Sequence, residues 1–257
     1  MRNIWTIARR ELSSYFASPI AYIVLAMFAV IFGFFFYSAV AIFVNFSAQA
    51  AMQQPGMAPP MNVNQFIIQP TLGNFGIILL LLMPLITMRL FAEEKRSGTI
   101  ELLLTSPVHD YEIILGKWLG SMLLYACMLA VSLLNLSILF IVSTPDWRAM
   151  LVGYLGLLLM GGAFVALGTF ISTLTRNQIV AGAVTFCLFL LLWVLDWAGS
   201  YNTSAIGRLC SYLAIAPHFE QFSKGVVELK DAIYYLSAIA VGLFLSKRSL
   251  ESLRWRA

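Results

Sequence analysis

The chain has 257 residues, 60% of them hydrophobic and 11% charged, whereas soluble domains run at roughly 45–50% apolar and about 25% charged. That balance excludes an ordinary water-soluble fold, because the apolar residues arrive in runs of about twenty, the length a helix needs to cross a bilayer. The formal charge of +4 comes from basic residues at the ends of those runs, where membrane orientation accounts for them better than nucleic-acid binding.

Residues 1–18 put Arg2, Thr6, Arg9 and Ser13 on one side, and Ile4, Ala8, Leu12 and Tyr15 on the other with Trp5 beside them. This spacing predicts an amphipathic helix lying on the membrane surface. Ser18 and Pro19 read as an N-cap and first helical residue, after which span one covers Ile20 to Val44. That run is too long for the apolar segment of a cleaved signal, which has about 7–15 residues.

Asn45 to Pro70, with Pro55, Pro59 and Pro60, reads as an irregular external loop. Span two is expected over Leu72 to Met88 and a charged segment over residues 89–112. Span three follows over Ile113 to Val142, span four over Met150 to Leu174 and span five over Ile179 to Trp197. A second polar region, 198–231, precedes span six at Ala232 to Leu245, which is short and needs snorkelling by Lys230 and Lys247 to reach both interfaces. The result is an all-α membrane protein of a single transmembrane domain, 1–257.

Six crossings put both termini on one side. Basic residues concentrate there, including Arg9, Arg10, Arg89, Lys95, Arg96 and Lys117, while Arg148, Arg208, Lys224 and Lys230 lie opposite. The positive-inside rule makes the terminal side cytoplasmic. Cys127 and Cys187 fall inside apolar runs and Cys210 in a polar stretch, so no disulfide framework is implied.

The segment from Phe91 to Pro107 carries the most information. Charged residues come first, Gly98 permits a break, and Thr99 to Thr105 forms a short helix stopped near Pro107. Ile100, Leu102, Leu103 and Leu104 give that helix apolar surface it cannot bury within a thin loop, so it requires the lipid surface or a partner. Elsewhere, Gly162 with Ala166 and Gly168 with Ser172 are small-residue pairs that serve either a dimer contact or packing inside one protomer. In the region before span six, Phe219, Phe222 and Val226 recur at three or four, so its pieces are amphipathic and able to re-enter the membrane. His218 and Glu220 alone fall short of a metal site.

Glu94-Lys95-Arg96-Ser97-Gly98-Thr99-Ile100-Glu101-Leu102-Leu103-Leu104-Thr105-Ser106-Pro107, followed by Glu112-Ile113-Ile114-Leu115-Gly116-Lys117, resembles the loop between spans two and three of ABC-2 type permeases. The likeness extends over nearly the whole chain. Ser18-Pro19-Ile20-Ala21-Tyr22 and His218-Phe219-Glu220-Gln221-Phe222 look most like the gliding-motility-associated permeases, with the permease of nitrous-oxide-reductase maturation a near relative. His109 departs from the pattern, since related loops often carry Ser there and form a capping box with the residue at 112; that weakens an N-cap assignment for span three.

The resemblance implies an export or mechanotransmission permease of the bacterial inner membrane, driven by a separate cytoplasmic ABC ATPase. Its coupling helix is Gly98, Thr99, Ile100, Glu101, Leu102, Leu103 and Leu104, with Glu94, Lys95 and Arg96 as charged partners. It further implies a second permease copy or paralogue, an auxiliary periplasmic or membrane subunit, and an external hairpin gate at His218, Phe219, Glu220 and Phe222. ATP and Mg would reside on the partner, since the chain has no G-x-x-x-x-G-K-[ST] phosphate loop, and no cofactor is expected in this chain. A membrane enzyme is disfavoured by the lack of His-Glu-x-x-His or paired intramembrane carboxylates. The alternative is a non-transporting anchor or channel subunit of an envelope complex, although the spans show no polar pore stripe.

Overall fold

The computed structural model describes residues 2–53, 62–101, 108–200 and 205–254, and among them every regular element is helical. Helix α1 (Arg2–Ala17) leads into α2 (Pro19–Gln53), the first span. The second span is built from pieces: a π-helical turn at Asn64–Ile68, α3 (Gln69–Gly73), α4 (Phe75–Thr87) and α5 (Ala92–Ser97). Helix α6 (Asp110–Ser137) and the short α7 (Leu139–Val142) make the third, α8 (Trp147–Leu174) the fourth and α9 (Gln178–Ser200) the fifth. Helices α10 (Ala205–Leu213) and α11 (Ile215–Ser223) precede α12 (Leu229–Arg254), the sixth. The chain is an all-α membrane protein, and its described residues hold six helices long and apolar enough to cross a bilayer.

Several boundaries differ from the sequence expectation, each for a local reason. Helix α2 continues past Val44 to Gln53 because Ala48, Gln49, Ala50 and Ala51 are strong helix formers. The expected loop over 45–70 therefore shrinks, and its centre, 54–61, lies outside the described residues. The second span starts at Asn64 rather than Leu72, opened by Asn62 Oδ1 accepting the Asn64 N–H at 2.9 Å. Helix α12 runs well beyond Leu245, carried on by Glu251 pairing with Lys247 at 3.5 Å and Arg248 at 3.1 Å, one turn away. At the start of α6, His109 is the N-cap after all. Glu112 closes the capping box from the third helical position, its Oε2 accepting the His109 backbone N–H at 3.3 Å.

The core runs between α4 and α8, the two most enclosed spans, while α2 and α9 leave most of their apolar surface facing outward. Helix α8 can sit centrally because its small residues let neighbours approach on several sides. Trp118 Nε1 donates to the Gly162 carbonyl at 3.1 Å. A Cβ at Gly162 would lie 3.0 Å from Ile239, one at Gly242 would lie 3.0 Å from the Ala166 Cβ, and one at Gly168 would overlap Thr87. Together with the hydrogen bonds of Ser172 to Phe91 and Met88, these contacts engage both small-residue pairs of α8 inside the protomer.

Candidate functional site

Helix α1 and the last turns of α12 lie at one end of the bundle, here called the terminal face. Asn3 Nδ2 donates to Glu112 Oε2 at 3.2 Å, tying α1 to the start of α6. Ser249 Oγ of α12 donates to the Thr173 carbonyl at the end of α8 at 3.4 Å. The charged segment that ends the second span lies on this same face.

That segment is an elbow rather than a smooth helix. Pro84 inside α4 removes a backbone donor, and the chain unwinds over Met88–Phe91 before α5 re-forms. Ser172 of α8 splints the gap: its Oγ accepts from the N–H groups of Phe91 and Ala92 at 3.0 and 3.1 Å and donates to the Met88 carbonyl at 3.1 Å. Gly98 then ends α5 at φ 74°, the left-handed conformation that glycine adopts without a Cβ penalty. Helix resumes at Ile100 and Glu101, and the expected contact residues Leu102, Leu103 and Leu104 lie outside the described residues.

The underside of the elbow is locked by buried charge. Lys117, 3% exposed, reaches Glu94 of α5 at 2.9 Å and Glu11 of α1 at 3.1 Å. Arg89, 6% exposed, donates to Ser14 Oγ of α1 at 2.6 Å, sits 4.6 Å over the Tyr15 ring and lies 3.7 Å from Glu93. Tyr15 donates its hydroxyl to the Ile86 carbonyl at 2.8 Å, and burial raises this phenol well above its usual range, so it acts as a neutral donor. Lys95 donates to the Thr173 carbonyl. One charged network thus connects α1, the elbow and α6, and Lys95 carries the connection on to α8.

Of the residues predicted for coupling, Glu94 and Lys95 therefore point into the chain, whereas Arg96, Gly98, Thr99 and Glu101 are exposed and Ile100 is half-buried. A cavity of about 260 Å³ opens beside them, bordered by Arg10, Ser14, Arg89, Glu93, Ser97 and Thr99. Glu94 also borders it, and its second oxygen, Oε2, is buried with no hydrogen-bond partner among the described residues.

Helix α1 reaches this network because α6 carries Gly116 and Gly120, one turn apart. A Cβ at Gly116 would lie 2.6 Å from Ile7, and one at Gly120 would lie 2.7 Å from the Glu11 Cβ. Sequence reasoning noted Gly116 and Lys117, took Arg89 only as an orienting charge and Ser172 only as a small residue, and missed Gly120 and Glu11. Signals for both were present: Gly116 to Gly120 is a G-x-x-x-G spacing, and Glu11 shares the face of Ala8 and Tyr15 at steps of three and four, an acid on the apolar side of an amphipathic helix.

At the opposite end, the hairpin face, α11 is latched to α12. His218 Nδ1 lies 2.7 Å from Asp231 Oδ1, its Nε2 lies 2.9 Å from the Tyr212 carbonyl, and its ring stacks on Tyr234 at 3.9 Å. Tyr235 adds a hydrogen bond to the Ile215 carbonyl at 3.0 Å. Phe219 and Phe222 are buried against Gly156 of α8, while Glu220 is exposed and pairs with Lys224 at 2.5 Å. Asp231 had no signal in the sequence, because it reads as an ordinary charge at the start of a span.

The family model described as ABC-2 family transporter protein matches residues 5–245. No curated protein matches the chain.

Proposed function

The chain belongs to the ABC-2 transporter family, and on that premise we propose that it is the membrane-spanning permease subunit of an ATP-driven transporter, moved by a separate cytoplasmic ATPase. The elbow carries this reading: Lys117 clasps Glu94 and Glu11 together, so a displacement of the exposed turn around Gly98 and Thr99 is passed to α1 and α6 at once. Closure of an ATPase pair biases a membrane domain only through contacts that differ between its two states, and a splinted break in a span supplies a joint for that difference.

In this reading the terminal face is cytoplasmic, in accord with its excess of Lys and Arg, and the membrane is the bacterial inner membrane. The exposed apolar faces of α2 and α9 meet lipid and a second permease copy. The latched α10–α11 hairpin acts as the external gate through His218, Phe219, Glu220 and Phe222. The segments Ser18–Tyr22 and His218–Phe222 support placing the chain with the gliding-motility-associated permeases, whether it moves a cargo or transmits force to envelope partners.

The test is co-purification. Leu103→Asp puts a charge on the apolar side of the coupling helix and should abolish ATPase co-purification while membrane insertion stays intact. Undiminished recovery of the ATPase would remove the assignment.

A further inference from the structure

A cavity of about 290 Å³ lies at the hairpin face, walled by the second span, α8, α9 and α11. Its interior is apolar and aromatic, with Met160 and Phe164 from α8, Trp193 from α9 and Phe219 from α11. Asp196 of α9 and Glu220 of α11 also line it, and among the described residues no basic side chain does, Lys224 meeting Glu220 from outside the lining. The first residues of α11 border it too, and a helix N-terminus carries roughly half a positive charge, less than either full carboxylate charge of the lining.

Gly73 and Gly76 complete the wall, one turn apart on the second span. Glycines such as Gly116, Gly120 and Gly168 exist to let a neighbour in, but a Cβ added at Gly73 or Gly76 would meet nothing within 4 Å. No neighbour among the described residues requires glycine at these two positions. The space they keep open is the cavity itself.

The walls and the charge select one kind of occupant. An aromatic face attracts a cation, two carboxylates favour it, and the apolar depth suits a hydrocarbon body. Both carboxylates keep polar contacts of their own; the pair of Glu220 with Lys224 is largely exposed on both sides, and such pairs are weak enough to exchange for a ligand cation. We propose that this cavity binds a lipophilic cation, its ammonium group at Asp196 and Glu220 and its apolar body against Trp193, Phe164 and Met160. The ammonium belongs either to a free alkyl amine or to the headgroup of an amino-phospholipid. Binding of this kind needs no ATPase, so it stands or falls separately from the coupling role of the elbow.

The test uses the full chain in lipid nanodiscs of phosphatidylglycerol, with radiolabelled octyltrimethylammonium as probe and octanesulfonate, an anion with the same chain, as its counterpart. The wild-type chain should bind the cation saturably above empty discs and the sulfonate not at all. Gly76→Leu fills the space and should weaken cation binding by about tenfold or more, a loss read directly as a change in dissociation constant. Asp196→Asn should weaken it several-fold while leaving the apolar wall intact. Gly33→Leu, which also meets nothing within 4 Å but lies on α2 away from the cavity, should bind as the wild type does. Equal binding of cation and anion, or affinity unchanged in both Gly76→Leu and Asp196→Asn, overturns the proposal. Adding phosphatidylethanolamine to the discs identifies the source: competition with the probe in the wild type assigns the site to the lipid amine, and no competition assigns it to a free amine.

Discussion

Lys117 holds two carboxylates that the sequence separates widely, Glu11 and Glu94, and it does so almost completely out of water. A buried ion group of this kind contributes little net stability when intact, because desolvation offsets attraction, but losing one member leaves charge uncompensated. Lys117→Met should therefore lower the free energy of unfolding in mixed micelles by about 3–5 kcal/mol. Adding Glu11→Gln and Glu94→Gln should restore a large part of it. A single variant as stable as the parent would show that the carboxylates are solvated and the network is open. His218 follows the same logic at the other end, with its ring between Asp231, the Tyr212 carbonyl and the face of Tyr234. His218 was legible as a candidate residue; its partner was not, because a carboxylate at a helix start looks the same whether it faces water or a buried imidazole.

The element that distinguishes this chain is the second span, which is broken, splinted and re-formed where a uniform helix would be stiff. The reading of span two over Leu72 to Met88 passed over Pro84, and the splint left no signal, since Ser172 lies far along the chain and its hydroxyl reads as one more small residue of α8. Helix α1 was legible as amphipathic, yet the surface it covers proves to be protein as well as lipid: Ala8 and Tyr15 are fully buried, while Trp5 stays exposed. Its seat depends on Gly120, where a Cβ would also lie 3.0 Å from the Ala8 carbonyl oxygen. Gly120→Val should push α1 off α6 at a cost of about 1–3 kcal/mol, the usual range for overpacking. An introduced Ala8→Cys should then become reactive to maleimide in detergent-solubilised protein, whereas in the parent background it stays protected. Protection in both backgrounds would mean that α6 yields instead of α1.

For the whole molecule, the proposed orientation places the elbow in the cytoplasm and the latched hairpin outside. In a background whose free cysteines Cys127, Cys187 and Cys210 are replaced by serine, Ser97→Cys should resist a membrane-impermeant maleimide in whole cells, and Lys224→Cys should react. The reverse pattern would invert the topology and remove the elbow from reach of any cytosolic ATPase. The sequence by itself determined the helical class, the number of spans and the family, because each rests on local properties: runs of apolar residues, a punctuating glycine or proline, and a contiguous motif around residues 94–117. It misjudged where α2 and α12 end, because helix propensity and charge pairs one turn apart extend a helix past its apolar stretch. Only the tertiary structure decided which small residues of α8 face a neighbour, which charges are buried and what they hold, and where a cavity remains. Those outcomes depend on which helix sides meet, and such meetings are set by packing between segments far apart in the chain, which leaves no periodic trace in either one.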